Sequence, residues 1–154
     1  DPAAEAAWIT AAEIEDVAGV EAIRGVADFL ASLPVERWAI VTSAPKALAV
    51  ARIAAAGLPM PAVLVAAEDV ERGKPAPDPF LLGAKRLGFA PEDCLVFEDT
   101  LAGLASAAAA GMESVVVTVT HGHPVETDVV GVVDYAELRS VGTAEGRLRV
   151  VMSS

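Results

Sequence analysis

The sequence predicts an α/β fold in which a parallel sheet is covered by helices on both faces. Two observations lead to this prediction. Short apolar segments of strand length alternate along the chain with longer segments whose apolar residues have helical spacing. The short segments are continuously apolar, rather than alternating with polar residues, as expected of strands that are buried on both faces.

Helical segments open the chain and recur after each strong strand signal. An Ala- and Glu-rich segment predicts a helix over residues 2–17, with Thr10 and Glu13 spaced as a capping box. A second helix is predicted over 20–33, and Pro34 ends it. Three further helices are predicted over 45–56, 78–87 and 100–110, with glycines at their C-terminal ends (Gly57, Gly88 and Gly111).

The predicted strands are short and rich in Val, Leu and Ile. Four segments carry strong signals, and two later ones carry weaker signals. The strong segments are 38–41, 62–65, 94–97 and 114–119, and the weaker ones are 129–133 and 148–152. Because helices separate the strong strands, we expect these strands to run parallel.

Composition and charge exclude several classes of protein. The chain has 154 residues, of which 54% are apolar, and its net charge is 11 − 22 = −11. The apolar content excludes a disordered chain, and the negative charge argues against nucleic acid as a partner. The longest charge-free segment, 53–67, contains Gly57, Pro59 and Pro61, so no membrane span is expected. Cys94 is the only cysteine, which precludes an internal disulfide and favours a cytoplasmic location.

Polar residues suited to phosphate and metal chemistry follow three of the predicted strands. Thr42 and Ser43 come directly after one strand, Lys74 lies in the loop after the next, and Glu98 and Asp99 end the third. Because ligands bind at the carboxyl ends of parallel strands, we expect these residues to converge. Hydroxyl, backbone N–H and lysine groups stabilise a phosphoryl group, and adjacent carboxylates suit Mg²⁺.

Each of these residues also has a plain structural interpretation. Thr42 and Ser43 are spaced as helix N-caps, and Lys74 alone is typical of a solvated loop lysine. Glu98 and Asp99 are also typical of favourable charges at the start of a helix. A combined phosphate and magnesium site accounts for all five residues together.

Three motifs contain the candidate site residues: 38–43 (WAIVTS), 72–80 (RGKPAPDPF) and 94–103 (CLVFEDTLAG). In this order they resemble the motifs of the haloacid dehalogenase-like hydrolases, in the subgroup of phosphoglycolate phosphatases, β-phosphoglucomutases and sugar phosphatases. The match covers roughly 23–119. The resemblance implies a Rossmann-like core with a helical cap. Residues 1–20 are then expected to be the C-terminal remnant of the cap, and residues 21–154 the core domain.

The resemblance implies an Mg²⁺-dependent phosphatase that hydrolyses a small phosphate monoester such as a sugar phosphate, glycerol phosphate or phosphoglycolate. Thr42 would donate a hydrogen bond to the phosphoryl group, helped by the N–H of Ser43. Lys74 would offset the negative charge of phosphate and nucleophile. Asp99 would bind Mg²⁺, and Glu98 would be a second ligand, directly or through water. The family's nucleophile is an aspartate that forms an aspartyl-phosphate, which water then hydrolyses.

One family motif is missing. The first motif of the family is Asp-x-Asp at the end of a central first strand, and this sequence contains no Asp-x-Asp. Folded without that strand, the sheet is expected to have a gap or an exposed seam at its centre. A complementing N-terminal segment or a second chain would fill it. An inactive truncation and an incorrect alignment stay open as explanations.

Two other functions are compatible with the same residues. An inactive member that binds a phosphorylated ligand or a protein stays open, and so does a phosphosugar mutase of the same family. A receiver domain would place its acidic residues before Thr42 and Lys74, not after them. A dinucleotide-binding fold needs a Gly-x-Gly-x-x-Gly turn, and the sequence contains none.

His121 and His123 are interpreted as loop residues rather than as a metal pair. The expected partner is a small phosphorylated metabolite, without nucleic acid or membrane.

Overall fold

A computed structural model describes residues 1–121 and 127–153, and it confirms the predicted α/β fold with parallel strands. The α-helices in these ranges are α1 (Pro2–Glu15), α2 (Val26–Ala31), α3 (Lys46–Ala55), α4 (Asp78–Leu87) and α5 (Leu101–Ala109). The strands are β1 (Ala39–Val41), β2 (Val63–Val65), β3 (Leu95–Glu98), β4 (Glu113–Val117), β5 (Gly131–Val132), β6 (Leu138–Gly142) and β7 (Leu148–Met152). Helices α3, α4 and α5 each connect one parallel strand to the next.

The parallel strands form two sheets rather than one. Strand β1 pairs with β2, with Ala39 opposite Val63. The second sheet has the order β3-β4-β5, with Leu95 opposite Glu113. Within the described ranges β1 and β3 are not paired with each other, so the parallel strands are interrupted between these two.

The predicted helix over 20–33 is shorter in the structure. Only α2 (Val26–Ala31) is helical, and Gly25 precedes it with φ of 82°, in the left-handed region. A Cβ at Gly25 would lie 2.3 Å from the backbone N of Ala136. Arg24 also pairs with Asp134 at 2.8 Å. The residues before α2 are therefore held against the segment 134–136 instead of extending the helix.

A C-terminal hairpin contains a strand, β6, that the sequence does not predict. Strand β6 pairs with β7 in antiparallel register, with Leu138 opposite Met152. The hairpin packs on α2, where the N–H of Ser140 donates to the hydroxyl of Ser32 at 3.2 Å. Strand β6 includes exposed Arg139 among its residues, so it lacks the apolar run that identified the other strands. The remaining elements begin and end within two residues of their predicted bounds.

The core lies between α4, α5 and the strand β3. It contains a cluster of buried residues: Phe80, Ala84, Val96, Ala107, Ala110 and Met112. Helix α5 is tied to the loop that precedes α4 by a hydrogen bond from Ser106 to the carbonyl of Ala76. None of the helices in the part of the chain that the structure describes is long and apolar enough to cross a membrane.

Candidate active site

The five site residues predicted from the sequence line one cavity. Thr42, Ser43, Lys74, Glu98 and Asp99 surround a space of about 400 Å³ at the carboxyl ends of β1 and β3. The rest of the wall is formed by Ile23, Val41, Phe97, Thr100, Val117 and Tyr135. The predicted convergence of these residues is therefore what the structure shows, while their chemical roles stay predictions.

Thr42 and Ser43 form the turn between β1 and α3. The N–H of Thr42 donates to the carbonyl of Val65 at 2.9 Å, which continues the pairing of β1 with β2. The Thr42 hydroxyl accepts a hydrogen bond from the N–H of Ala44 at 3.1 Å. Because this bond uses the oxygen as acceptor, the hydroxyl hydrogen can still be donated to a ligand in the cavity.

Lys74 is buried between the two parallel sheets. Its ammonium donates to the carbonyl of Val41 at 3.1 Å and to Oε1 of Glu98. The ammonium also lies 4.8 Å from the centre of the Phe80 ring. The side chains of Lys74 and Glu98 are only 10% and 7% exposed. Lys74 is therefore a buried, paired cation rather than a solvated loop lysine.

Glu98 has both carboxylate oxygens bonded to protein donors. Oε2 accepts hydrogen bonds from the N–H groups of Asp99 and Thr100, at 3.1 and 3.2 Å, and from the Thr100 hydroxyl at 3.0 Å. Oε1 accepts from Lys74. The start of α5 and one lysine thus compensate the charge of this buried carboxylate. Glu98 as a second metal ligand, directly or through water, stays a prediction.

Gly103 makes room for the Glu98 carboxyl group. A Cβ at position 103 would lie 2.0 Å from Cδ of Glu98 and 2.1 to 2.3 Å from its oxygens. Only glycine lets the carboxylate lie flat against the first turn of α5. The Thr100 hydroxyl caps the same turn by accepting from the N–H of Gly103 at 3.0 Å.

Asp99 is half-buried and is held by two residues that follow β4. Its Oδ2 accepts a hydrogen bond from the Thr120 hydroxyl at 3.1 Å. Its main-chain carbonyl contacts Nε2 of His121. Within the described residues, Oδ1 of Asp99 accepts no hydrogen bond, so this oxygen can bind a cation. His123 lies outside the described residues.

The donor set fits a magnesium ion in part. Mg²⁺ commonly takes one or two protein carboxylates and fills its remaining positions with water and substrate phosphate. Asp99 supplies one carboxylate oxygen, and Glu98 stands beside it. Across residues 1–121 and 127–153 no group of three or more His, Cys, Asp and Glu side chains is placed to hold a metal ion. The chain's own carboxylates can supply at most part of a magnesium coordination shell, and the magnesium site stays a prediction.

Tyr135 is a site residue that sequence reasoning missed. It packs against Phe29 and Phe97, with ring centres 5.6 Å apart in both pairs. Burial, and then the negative charges of Asp99 and Glu98, raise the pKa of Tyr135 to about 12. Its only sequence signal is a position just after a weakly predicted strand, and nothing there indicates that the ring reaches the cavity.

Ser106 supports the lysine loop from behind. It is fully buried, and its hydroxyl donates to the carbonyl of Ala76 at 2.6 Å. This bond ties α5 to the segment that carries Lys74. A buried serine within an Ala-rich helix is a signal for such a contact, although its partner is 30 residues away along the chain.

Comparison with known proteins establishes the family. The model of the haloacid dehalogenase-like hydrolases matches residues 2–111, and the chain belongs to this family. This confirms the resemblance that the three motifs predicted.

Two relatives of this chain are phosphatases by name. Hexitol phosphatase A of Escherichia coli K12 is 45% identical over 122 residues, which are 76% of this chain and 55% of that protein. Glycerol-1-phosphate phosphohydrolase 2 of Saccharomyces cerevisiae is 35% identical over 98 residues, 59% of this chain and 39% of the yeast protein. The chain thus spans about half or less of the length of these relatives.

A solved structure agrees with these relatives in fold. The crystal structure of CbbY from Rhodobacter sphaeroides in complex with phosphate is similar with a TM-score of 0.63 and 28% identity. The similarity covers 75% of this chain and 55% of CbbY.

Proposed function

We propose that this chain forms most of the catalytic core of an Mg²⁺-dependent phosphatase that hydrolyses a small phosphate monoester. The observation that carries the proposal is the single cavity in which Thr42, Lys74 and Asp99 meet. These residues supply a hydroxyl donor, a buried cation and a carboxylate. A hydroxyl donor, a cation and a metal-binding carboxylate are the groups that phosphoryl transfer needs.

The phosphoryl group would bind between Thr42 and Lys74. The Thr42 hydroxyl has a hydrogen to donate, and the exposed turn at Ser43 offers a backbone N–H. Lys74 is fixed by Val41 and Glu98, so it holds its charge at the cavity wall without reorganising. Together these donors would stabilise negative charge that develops on the phosphoryl oxygens.

Asp99 would hold the magnesium ion through Oδ1, and Glu98 would be a second ligand, directly or through water. The bound ion would supply a Lewis acid that neutralises charge on the phosphate. The buried pair of Glu98 and Lys74 keeps the lysine at the cavity wall, next to Asp99.

The nucleophilic aspartate is proposed to come from a strand that lies between β1 and β3. The interruption between these strands supports this placement, because the cavity opens at the same seam. Two unpaired strand edges also favour pairing with a further strand. A segment preceding these 154 residues or a second chain could carry it.

The proposed substrates are phosphate esters of sugars, sugar alcohols or glycerol. The names of the two phosphatase relatives support this class. A phosphosugar mutase remains the alternative within the family.

The absence of an Asp-x-Asp motif in the sequence favours a second candidate, a module that binds a phosphorylated ligand without turnover. The single cysteine remains the basis for predicting a cytoplasmic location.

Phosphate release from hexitol phosphates and glycerol 1-phosphate tests the proposal. It is measured with the longest protein that the gene encodes and with the 154-residue chain alone. We expect turnover by the longer protein that requires Mg²⁺ and falls at least about 100-fold in Asp99→Asn. Asp93→Asn, at an exposed aspartate that pairs with Arg147, is the matched control and should keep full activity.

Three outcomes would count against parts of the proposal. Activity that survives EDTA would overturn the magnesium assignment. Turnover by the 154-residue chain alone would overturn the external nucleophile. Binding of phosphate esters without turnover by either protein would favour the binding module.

A further inference from the structure

We propose that Thr120 is a positioning residue that orients the Asp99 carboxylate for the metal ion. The inference depends on the proposed function, because it gives a purpose to a contact at the magnesium side of the cavity. Thr120 lies just beyond the end of β4, 21 residues after Asp99, and belongs to none of the three motifs.

The geometry involves two consecutive residues. The Thr120 hydroxyl donates to Oδ2 of Asp99 at 3.1 Å, and Nε2 of His121 contacts the Asp99 main-chain carbonyl. A carbonyl oxygen only accepts, so this contact is a hydrogen bond in the tautomer that carries the hydrogen on Nε2. The turn after β4 therefore holds both the side chain and the backbone of Asp99.

The contact matters because Asp99 has few other restraints. Glu98 is fixed by four protein donors, whereas the Asp99 carboxylate has Thr120 as its hydrogen-bond donor in the described part of the chain. Without it, the carboxylate of a half-buried residue is free to rotate. Oδ1 accepts no hydrogen bond among the described residues, and the bond from Thr120 to Oδ2 sets the direction in which Oδ1 points.

A partner of this kind changes metal affinity more than it changes fold stability. Hydrogen bonds that orient a ligand carboxylate are typically worth 10- to 100-fold in metal affinity. Thr120 is exposed, so its substitution removes little packing. The expected signature is weaker metal binding in a protein with an unchanged melting temperature.

The experiment measures the binding of Mn²⁺, as a substitute for Mg²⁺, from the electron paramagnetic resonance signal of the free ion. It uses the longest protein that the gene encodes, without substrate. Thr120→Val removes the donor while keeping the shape, and Thr120→Ser keeps the donor. Thr10→Val, on α1 away from the cavity, is the matched control.

We expect Thr120→Val to weaken Mn²⁺ binding about 10-fold, with Thr120→Ser and Thr10→Val close to the wild type. Wild-type affinity in Thr120→Val would overturn the inference, and so would equal losses in the valine and serine variants. A wild type that does not bind Mn²⁺, or an Asp99→Asn variant that binds it equally well, would overturn the proposed magnesium site together with this inference.

Discussion

The Glu98 carboxylate accepts a hydrogen bond from the Lys74 ammonium on Oε1, and on Oε2 it accepts hydrogen bonds from Asp99 and Thr100, directly before α5. The lysine also donates to the carbonyl of Val41, at the end of β1. One buried ion pair therefore joins the two parallel sheets at the point where they are not paired through the backbone. It is a structural contact as well as a candidate catalytic one, and the two roles can be separated by experiment.

Replacing Lys74 with methionine should destabilise the protein strongly. The change leaves the Glu98 carboxylate buried without its counter-charge, and breaking a buried pair in this way typically costs about 3–5 kcal/mol. Unfolding in urea measures the loss. Lys85→Met, at an exposed lysine on α4, should change the free energy of unfolding by less than about 0.5 kcal/mol.

The double variant Lys74→Met with Glu98→Gln tests the pairing itself. Removing both charges should cost less than the sum of the two single changes, by roughly 0.5–3 kcal/mol. Additive losses would show that the two side chains do not stabilise each other in solution.

Gly103→Ala should destabilise the protein, although alanine is ordinarily the better helix former by roughly 0.5–1 kcal/mol. The new Cβ would overlap the Glu98 carboxyl group, which is held in place by Lys74 and Thr100. The expected net loss is about 1–3 kcal/mol, as for other overpacked sites. Thermal or urea unfolding measures it.

A second background shows whether the overlap with Glu98 is the cause. In a Glu98→Ala protein the carboxyl group is absent, so adding Gly103→Ala should then stabilise the helix. A loss of similar size in both backgrounds would contradict the proposed overlap.

The sequence predicts most of the parallel fold because its signals are local. Buried strands such as β1 and β3 are continuous apolar runs, and the glycines after α4 and α5 mark where those helices end. Strand β6 has no such run, since it contains polar residues and gains its partner only by folding back on β7. The helix predicted over 20–33 fails for a similar reason, because Gly25 packs against a segment more than 100 residues away.

The distinction between local signals and contacts of distant segments also applies to the site. Thr42, Lys74 and Asp99 follow strand ends, where chain order alone places ligand-binding residues. Their partners depend on contacts between distant segments. That Glu98 would pair with Lys74, or that Thr120 would hold Asp99, follows from no spacing in the sequence. Such contacts became predictable only once the strands were placed.

The pKa of Tyr135 provides a spectroscopic test of the burial of this ring at the cavity wall. Burial and the charges of Asp99 and Glu98 raise the pKa from the ordinary 10.0 to about 12. Since Tyr135 is the only tyrosine, the ultraviolet absorbance of phenolate reports this residue alone. The folded protein should show almost no phenolate at pH 10. In denaturant the pKa of Tyr135 should return to its ordinary value of 10.0.

The sign of the shift also fixes a stability profile. Folding favours the neutral phenol of Tyr135. The stability that this preference adds to the folded protein is therefore complete below pH 10 and is lost as the pH rises from about 10 to 12. Tyr135→Phe should remove this part of the alkaline loss, and Asp99→Asn should lower the pKa of Tyr135 by removing one of the charges that raise it. Phenolate that forms at pH 10 in the folded protein would mean that the ring is solvated and that the cavity wall is open on this side.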